Sequence, residues 1–117
     1  MTTQQSNPAD VAAAYFTAWQ AKDIDAYRAL LAGDVTFVGP LGTADGAEEA
    51  VKGFTGLAGI TTKVDVKKVF ADGADVLTWF VLHTTVADPV PVANWTRVVD
   101  GRITRIRVAF DASGFRR

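Results

Sequence analysis

The sequence predicts a single α+β domain in which a curved antiparallel sheet wraps around three helices of the N-terminal half. Three observations predict it. Apolar residues recur at helical spacing through the first quarter of the chain. From residue 62 onward the pattern is that of strands, punctuated by the turn pairs Asp72-Gly73 and Asp100-Gly101. No linker, internal repeat or low-complexity tract divides the 117 residues. Helices gathered early and strands gathered late are the segregation expected of an α+β layout.

Each element has a local cause. The first helix begins near Pro8. Asn7 can cap it, proline suits the first helical position, and Asp10 sits at the positive end of the helix dipole. Val11, Ala14, Tyr15, Ala18 and Trp19 form its apolar stripe. A second helix follows at once, capped by Asp23, with Ile24, Tyr27, Leu30 and Leu31 as its stripe and Gly33 as its stop. Residues 34–40 read as a short strand that Gly39-Pro40-Leu41-Gly42 ends. Asp45 and Glu48 have the spacing of a capping box before a third helix over 47–57, whose end Gly53, Gly56 and Gly59 loosen. Four strands complete the chain. They span 62–70, carrying Val64, Val66 and Val69; 75–86, apolar on both faces and interrupted by Asp88-Pro89-Val90-Pro91; 91–99; and 102–110. The domain takes in residues 1–117, with 1–6 expected as a flexible N-terminal tail.

Composition excludes several classes of function. Apolar residues make up 49%, enough to bury a core without covalent staples. The absence of cysteine removes disulfides and thiolate metal sites. With a single histidine, His83, zinc would depend on carboxylates, so no metal site is expected. A net charge of −1 without a basic stripe argues against nucleic acid. No apolar run has the length of a membrane span, and the polar start lacks the apolar core of a signal peptide. A cytoplasmic location is expected.

Several local phrases stand out along these elements. They are Ala14-Tyr15-Phe16-Thr17-Ala18-Trp19, Lys22-Asp23-Ile24-Asp25-Ala26 and Leu30-Leu31-Ala32-Gly33-Asp34-Val35. Pro40-Leu41-Gly42, Asp45-Gly46 and the run from Trp95 to Ile103 follow. In this order they resemble the nuclear transport factor 2-like superfamily, and within it the branch of ketosteroid isomerases and SnoaL-like polyketide cyclases. The resemblance covers essentially the whole chain. It implies a cone-shaped half-barrel enclosing one pocket, no cofactor, a small hydrophobic carbonyl-bearing ligand, and a homodimer formed through the outer face of the sheet. It says little about activity, because the scaffold hosts isomerases, cyclases, epoxide hydrolases, dehydratases, binding proteins and accessory domains.

The same resemblance assigns site residues. Ketosteroid isomerases hold the forming enolate with a tyrosine of the first helix and an acid of a late strand. Tyr15 and Asn94 fall on those positions, and an asparagine amide donates without a raised pKa. Trp19, Phe37, Phe54, Phe80, Leu82 and Thr96 are expected to line the pocket. The isomerase base is an aspartate just before the proline of the first-strand motif; here Gly39 precedes Pro40. The acid of the cyclases' last strand falls on Arg107-Val108, and the arginine and paired carboxylates of the epoxide hydrolases are missing. If the protein is an enzyme, the implication is a cofactor-independent isomerase, cyclase or lyase rather than a standard ketosteroid isomerase.

His83 is the remaining candidate base, since its ordinary pKa lies near neutrality. It shares a strand face with Trp79 and Val81, whereas Thr78, Phe80, Leu82 and Thr84 share the other. Pattern alone leaves open which face lines the pocket; the resemblance favours Thr78, Phe80 and Leu82. Plainer roles stand beside each of these. Tyr15 can be a core residue, Asn94 a strand cap, and His83 an interface or strand-end residue. Asp45, Glu48 and Glu49 fit helix capping and a solvated helix face. Arg102, Arg105 and Arg107 fit a solvated sheet face, and at most one of the three tryptophans is expected in the pocket. Two functions therefore compete: a ligand-binding pocket, or a dimerising domain whose pocket is filled. A cavity of several hundred Å³ would favour the first.

Overall fold

The computed structural model describes residues 7–115. Its elements are α1 (Pro8–Ala21), α2 (Ile24–Ala29), β1 (Leu31–Gly39), β2 (Gly42–Asp45), α3 (Ala47–Ile60), β3 (Thr61–Asp72), β4 (Asp75–Thr84), β5 (Val90–Val99) and β6 (Arg102–Ala109). A single 3-10 turn follows at Ser113–Phe115. The strands form one curved sheet in the order β2-β1-β6-β5-β4-β3. Its pairs are antiparallel except β1 with β6, which run parallel, so the sheet is mixed. The α+β layout is the one the sequence predicts, but the sheet is mixed rather than antiparallel, because β1 runs alongside the last strand in the same direction. The tail over residues 1–6 lies outside the described residues.

The helix starts follow the capping logic. Asn7 Oδ1 accepts from the Asp10 amide at 2.9 Å, and Asp23 Oδ1 accepts from the Ala26 amide at 3.1 Å. Along α1, Val11, Tyr15, Ala18 and Trp19 are buried as expected, but Ala14 is exposed while Ala12 and Phe16 are buried. The second helix stops earlier than Gly33. Leu31 already pairs with Ile103, and the Ile103 amide donates to the Leu30 carbonyl at 2.8 Å, so pairing with the last strand overrides helical propensity. Gly33 sits within β1.

Three further corrections shape the site. Gly39-Pro40-Leu41-Gly42 does not end the sheet locally: Gly39 pairs with Gly42 across a two-residue turn, and the chain returns as edge strand β2. Gly42 has φ +150 there, which glycine tolerates. Asp45 does not cap α3. Gly46, at φ +96, occupies that position, and Glu49 reaches back to accept from the Asp45 amide at 2.9 Å. The helix also continues through its three glycines to Ile60.

The register of the later strands fixes what faces inward. Val76, Thr78, Phe80 and Leu82 of β4 are buried against the helices, as are Val90, Val92, Asn94, Thr96 and Val98 of β5. Leu77, Trp79 and Trp95 point out and are exposed. Val64, Val66 and Val69 of β3 pair with the inward-facing Leu82, Phe80 and Thr78, and the register shift between Val66 and Lys68 keeps Val69 on that face; Val64 is buried, whereas Val66 and Val69, further along this edge strand, are exposed. The Asp100-Gly101 turn joins β5 to β6 with φ 53 and 78 at its two residues, the left-handed pair that this hairpin type requires.

Candidate ligand-binding site

The inner face of the sheet and the three helices enclose a cavity of about 400 Å³. Its buried end is formed by Tyr15 and Trp19 of α1, Tyr27 of α2, Phe80 of β4 and Asn94 of β5. The mouth lies between the β1–β2 turn, with Leu41 and Thr43 exposed, and the glycines Gly53 and Gly56 of α3. The wall is predominantly apolar. Among the described residues that line it there is no lysine, arginine or histidine, and Glu49, exposed near the mouth, is the sole carboxylate.

Aromatic packing sets the floor. Tyr27 and Phe54 stack with ring centroids 3.7 Å apart and planes 5° apart, and Tyr15 lies tilted on Tyr27 at 5.3 Å. Trp19 donates its indole N–H to Thr61 Oγ1 at 3.0 Å, so its one polar atom is satisfied and the ring offers an apolar surface. Phe80 meets Trp19 and Phe16 edge-on.

Apart from Thr43 and Glu49 at the mouth, the polar features are few and deep. Burial pushes the Tyr15 hydroxyl up to about 12, against a smaller opposing pull from the Asn94 amide and the Tyr27 hydroxyl beside it. Tyr27 is raised further, first by burial, then by the charge and hydrogen bond of Tyr15. Both hydroxyls are protonated near pH 7, as ordinary tyrosines are, and the shift extends this to higher pH. Asn94 is buried to 1% exposure, yet neither its Nδ2 nor its Oδ1 has a hydrogen-bond partner. The amide approaches the Tyr15 hydroxyl closely enough to influence it without completing a bond.

The placement of the sequence-derived candidates is mixed. Tyr15, Asn94, Trp19, Phe37, Phe54, Phe80 and Leu82 all line the cavity. Thr96 does not. It points inward but sits one pleat further along β5, between Val76 and Ile106 on the flanking strands, with its Oγ1 also unpartnered. His83 does not line the cavity either. It is half-buried on the outer face of β4, opposite Lys63 and near the Asp65 carboxylate, because strand alternation sends Phe80 and Leu82 inward and His83 outward. Gly39 lines the cavity with no side chain to offer. Of the three tryptophans only Trp19 is in the cavity; Trp95 donates to the Asp75 carboxylate at 2.9 Å on the outer face. Arg107 is not merely solvated: its guanidinium donates to the Thr36 carbonyl and hydroxyl at 3.2 Å, tying β6 to β1.

Sequence reasoning passed over Tyr27, Glu49 and the α3 glycines as lining residues. Tyr27 read as one member of a core stripe. Gly53 and Gly56, three residues apart on one helix face, read as looseness; that spacing was the available sign of an open wall.

The chain belongs to the SnoaL-like domain family, whose model matches residues 12–106. It is similar to a protein from Kribbella flavida DSM 17836, with a TM-score of 0.85 and 31% identity over 91% of this chain and 88% of that one. An NTF2-like protein of unknown function from Cytophaga hutchinsonii ATCC 33406 superposes with a TM-score of 0.86 at 23% identity, covering 98% of each chain. An LEH-like epoxide hydrolase from M. tuberculosis superposes with a TM-score of 0.79 at 25% identity, over 94% of this chain and 86% of that one. No curated protein matches the chain.

Proposed function

We propose that this protein binds a small hydrophobic molecule in the cavity and holds the molecule's carbonyl end between Tyr15 and Asn94. The observation that carries the reading is the Asn94 side chain. A buried amide without partners costs about 1–3 kcal/mol, and this one faces an apolar cavity of about 400 Å³. A ligand supplies what the protein leaves unmade. The volume lies within the range of small-molecule pockets, which favours a binding protein over a domain whose pocket is closed by packing. The reading stops at binding, because Gly39 stands where the family's isomerases carry their base.

Thermal unfolding in the presence of uncharged apolar carbonyl compounds tests it. Saturable stabilisation is expected, reaching roughly 2.7 kcal/mol at a hundred times the dissociation constant. It should be lost in Asn94→Leu. No stabilisation by any member of a broad panel would reject the reading.

We infer further that a second copy of the chain covers the outer face of the sheet. Phe70 (56% exposed), Leu77, Trp79 (45%), Trp95 and Val99 lie exposed on the late strands. Exposed apolar clusters of this kind mark contact surfaces. Sedimentation should show a dimer at micromolar concentration and a monomer for Trp79→Glu. A monomeric wild type would reject this.

A further inference from the structure

The unpartnered atoms of Asn94 are a donor and an acceptor held in one plane, and this narrows the ligand. We propose that the cavity selects uncharged molecules whose buried end carries a hydrogen-bond donor and acceptor side by side, as in a primary carboxamide or a lactam. This rests on the reading of the cavity as a binding site and goes beyond a carbonyl group in general.

The argument runs from the chemistry of the buried end. A simple ketone offers only acceptors. It can take the Asn94 N–H, but it leaves the Asn94 carbonyl oxygen as orphaned as before. A carboxamide or lactam fills both positions at once through a cyclic pair of hydrogen bonds. This holds whichever way the amide is turned, since rotation exchanges the donor and acceptor without removing either. A site with buried polar groups discriminates strongly against a ligand that leaves one of them unpaired.

Charge points the same way. The described lining residues include no cation, so a carboxylate driven to the buried end would be desolvated without a counter-ion. Glu49 near the mouth would repel it on entry. The Tyr15 hydroxyl, protonated at pH 7 like any tyrosine, can donate to the ligand carbonyl beside the Asn94 amide. The body of the ligand then lies against Trp19, Phe54 and Phe80.

The test uses three probes that share one skeleton: adamantane-1-carboxamide, 1-acetyladamantane and adamantane-1-carboxylate, with the cyclohexane series as a second skeleton. Binding to the full chain is measured by calorimetry at pH 7. The carboxamide should bind at least tenfold more tightly than the ketone, and the carboxylate weakest of the three. In Asn94→Leu, with folding checked by circular dichroism, carboxamide and ketone should converge. If wild type binds the ketone as tightly as the carboxamide, the donor–acceptor inference fails while the binding site stands. If the carboxylate binds best, the inference also fails. If no probe of either skeleton binds, the cavity reading and this inference fall together.

Discussion

Trp19 and Thr61, 42 residues apart in sequence, are joined by a buried hydrogen bond from the indole N–H to Oγ1 at 3.0 Å. The hydroxyl then donates to the Leu57 carbonyl at 2.7 Å, so one threonine closes the end of α3 and satisfies the tryptophan of α1. Thr61→Val keeps the shape and removes both bonds. The buried indole N–H is then left without a partner, and the expected loss is about 1–3 kcal/mol. Urea unfolding should show a lower midpoint with an unchanged m-value; an unaltered midpoint would mean that the bond contributes nothing net.

Asn94 predicts the opposite sign. Replacing a buried, unpartnered amide by a hydrocarbon of similar size removes an uncompensated desolvation cost. Asn94→Leu should therefore raise stability by roughly 1–3 kcal/mol in the absence of ligand, while abolishing ligand-induced stabilisation. Most core substitutions destabilise, so a gain here would identify the residue as held for binding. A loss of stability in Asn94→Leu would show that the amide is satisfied in the folded protein.

The two tyrosines of the chain are both buried and both raised, Tyr15 to about 12 and Tyr27 beyond that. Unfolded tyrosine titrates near 10. The folded state thus holds its phenol protons more tightly than the unfolded chain. The resulting stability is fully present below about pH 10 and is lost as pH rises through the folded values. Tyrosinate absorbance should remain absent in the native protein near pH 10.5 and then appear together with loss of far-ultraviolet ellipticity. A separate titration near pH 10 with the fold intact would contradict this placement of the hydroxyls.

Gly39 carries a prediction about chemistry. Wild type should show no measurable ketosteroid isomerisation, because Gly39, at the position where the resemblance places the isomerases' base, has no side chain to take a proton. Gly39 does not have a positive φ, so an L-residue fits the backbone, yet an added Cβ would meet the Phe37 ring at 3.1 and 3.2 Å. Gly39→Asp alone should be slightly strained, and Gly39→Asp with Phe37→Leu should accommodate the carboxylate. Enone absorbance from a 5-ene-3-ketosteroid tests all three. Turnover by wild type would place the base elsewhere, and Glu49→Gln would be examined first, since Glu49 is the carboxylate on the cavity wall.

Much of the architecture was legible because it rests on local chemistry. Asn7 and Asp23 announce helix starts, Asp100-Gly101 announces a hairpin, and Phe80 and Leu82 face inward as the family resemblance implied. What was illegible depends on partners distant in sequence. β2, as Gly-Thr-Ala-Asp, has no apolar alternation and exists because β1 offers it an edge. The bulge between Val66 and Lys68 shows in the sequence only as the three-residue step from Val66 to Val69, which by itself does not tell a bulge from a change of face. At the site, the resemblance supplied Tyr15 and Asn94, but the exclusion of Thr96 depends on how far one pleat carries a side chain. The placement of His83 depends on a one-residue choice of register, which the residue pattern of β4 does not fix because both of its faces are apolar.

The parallel pairing of β1 with β6 makes the cavity a late event in the life of the chain. Phe37 and Gly39 of β1 lie beside Val108 and Phe110 in one stretch of the wall, although about seventy residues separate them in sequence. Hairpins among β3, β4, β5 and β6 can close as soon as each turn is made, whereas β1 and its hairpin partner must wait for a strand about seventy positions downstream. Such non-local closure is slow. Until it happens the inner face of β5, with Asn94 on it, lacks one of its walls. The cavity wall is therefore complete only once the neighbouring strands β1 and β6 have paired and joined the β1–β2 hairpin to the rest of the sheet.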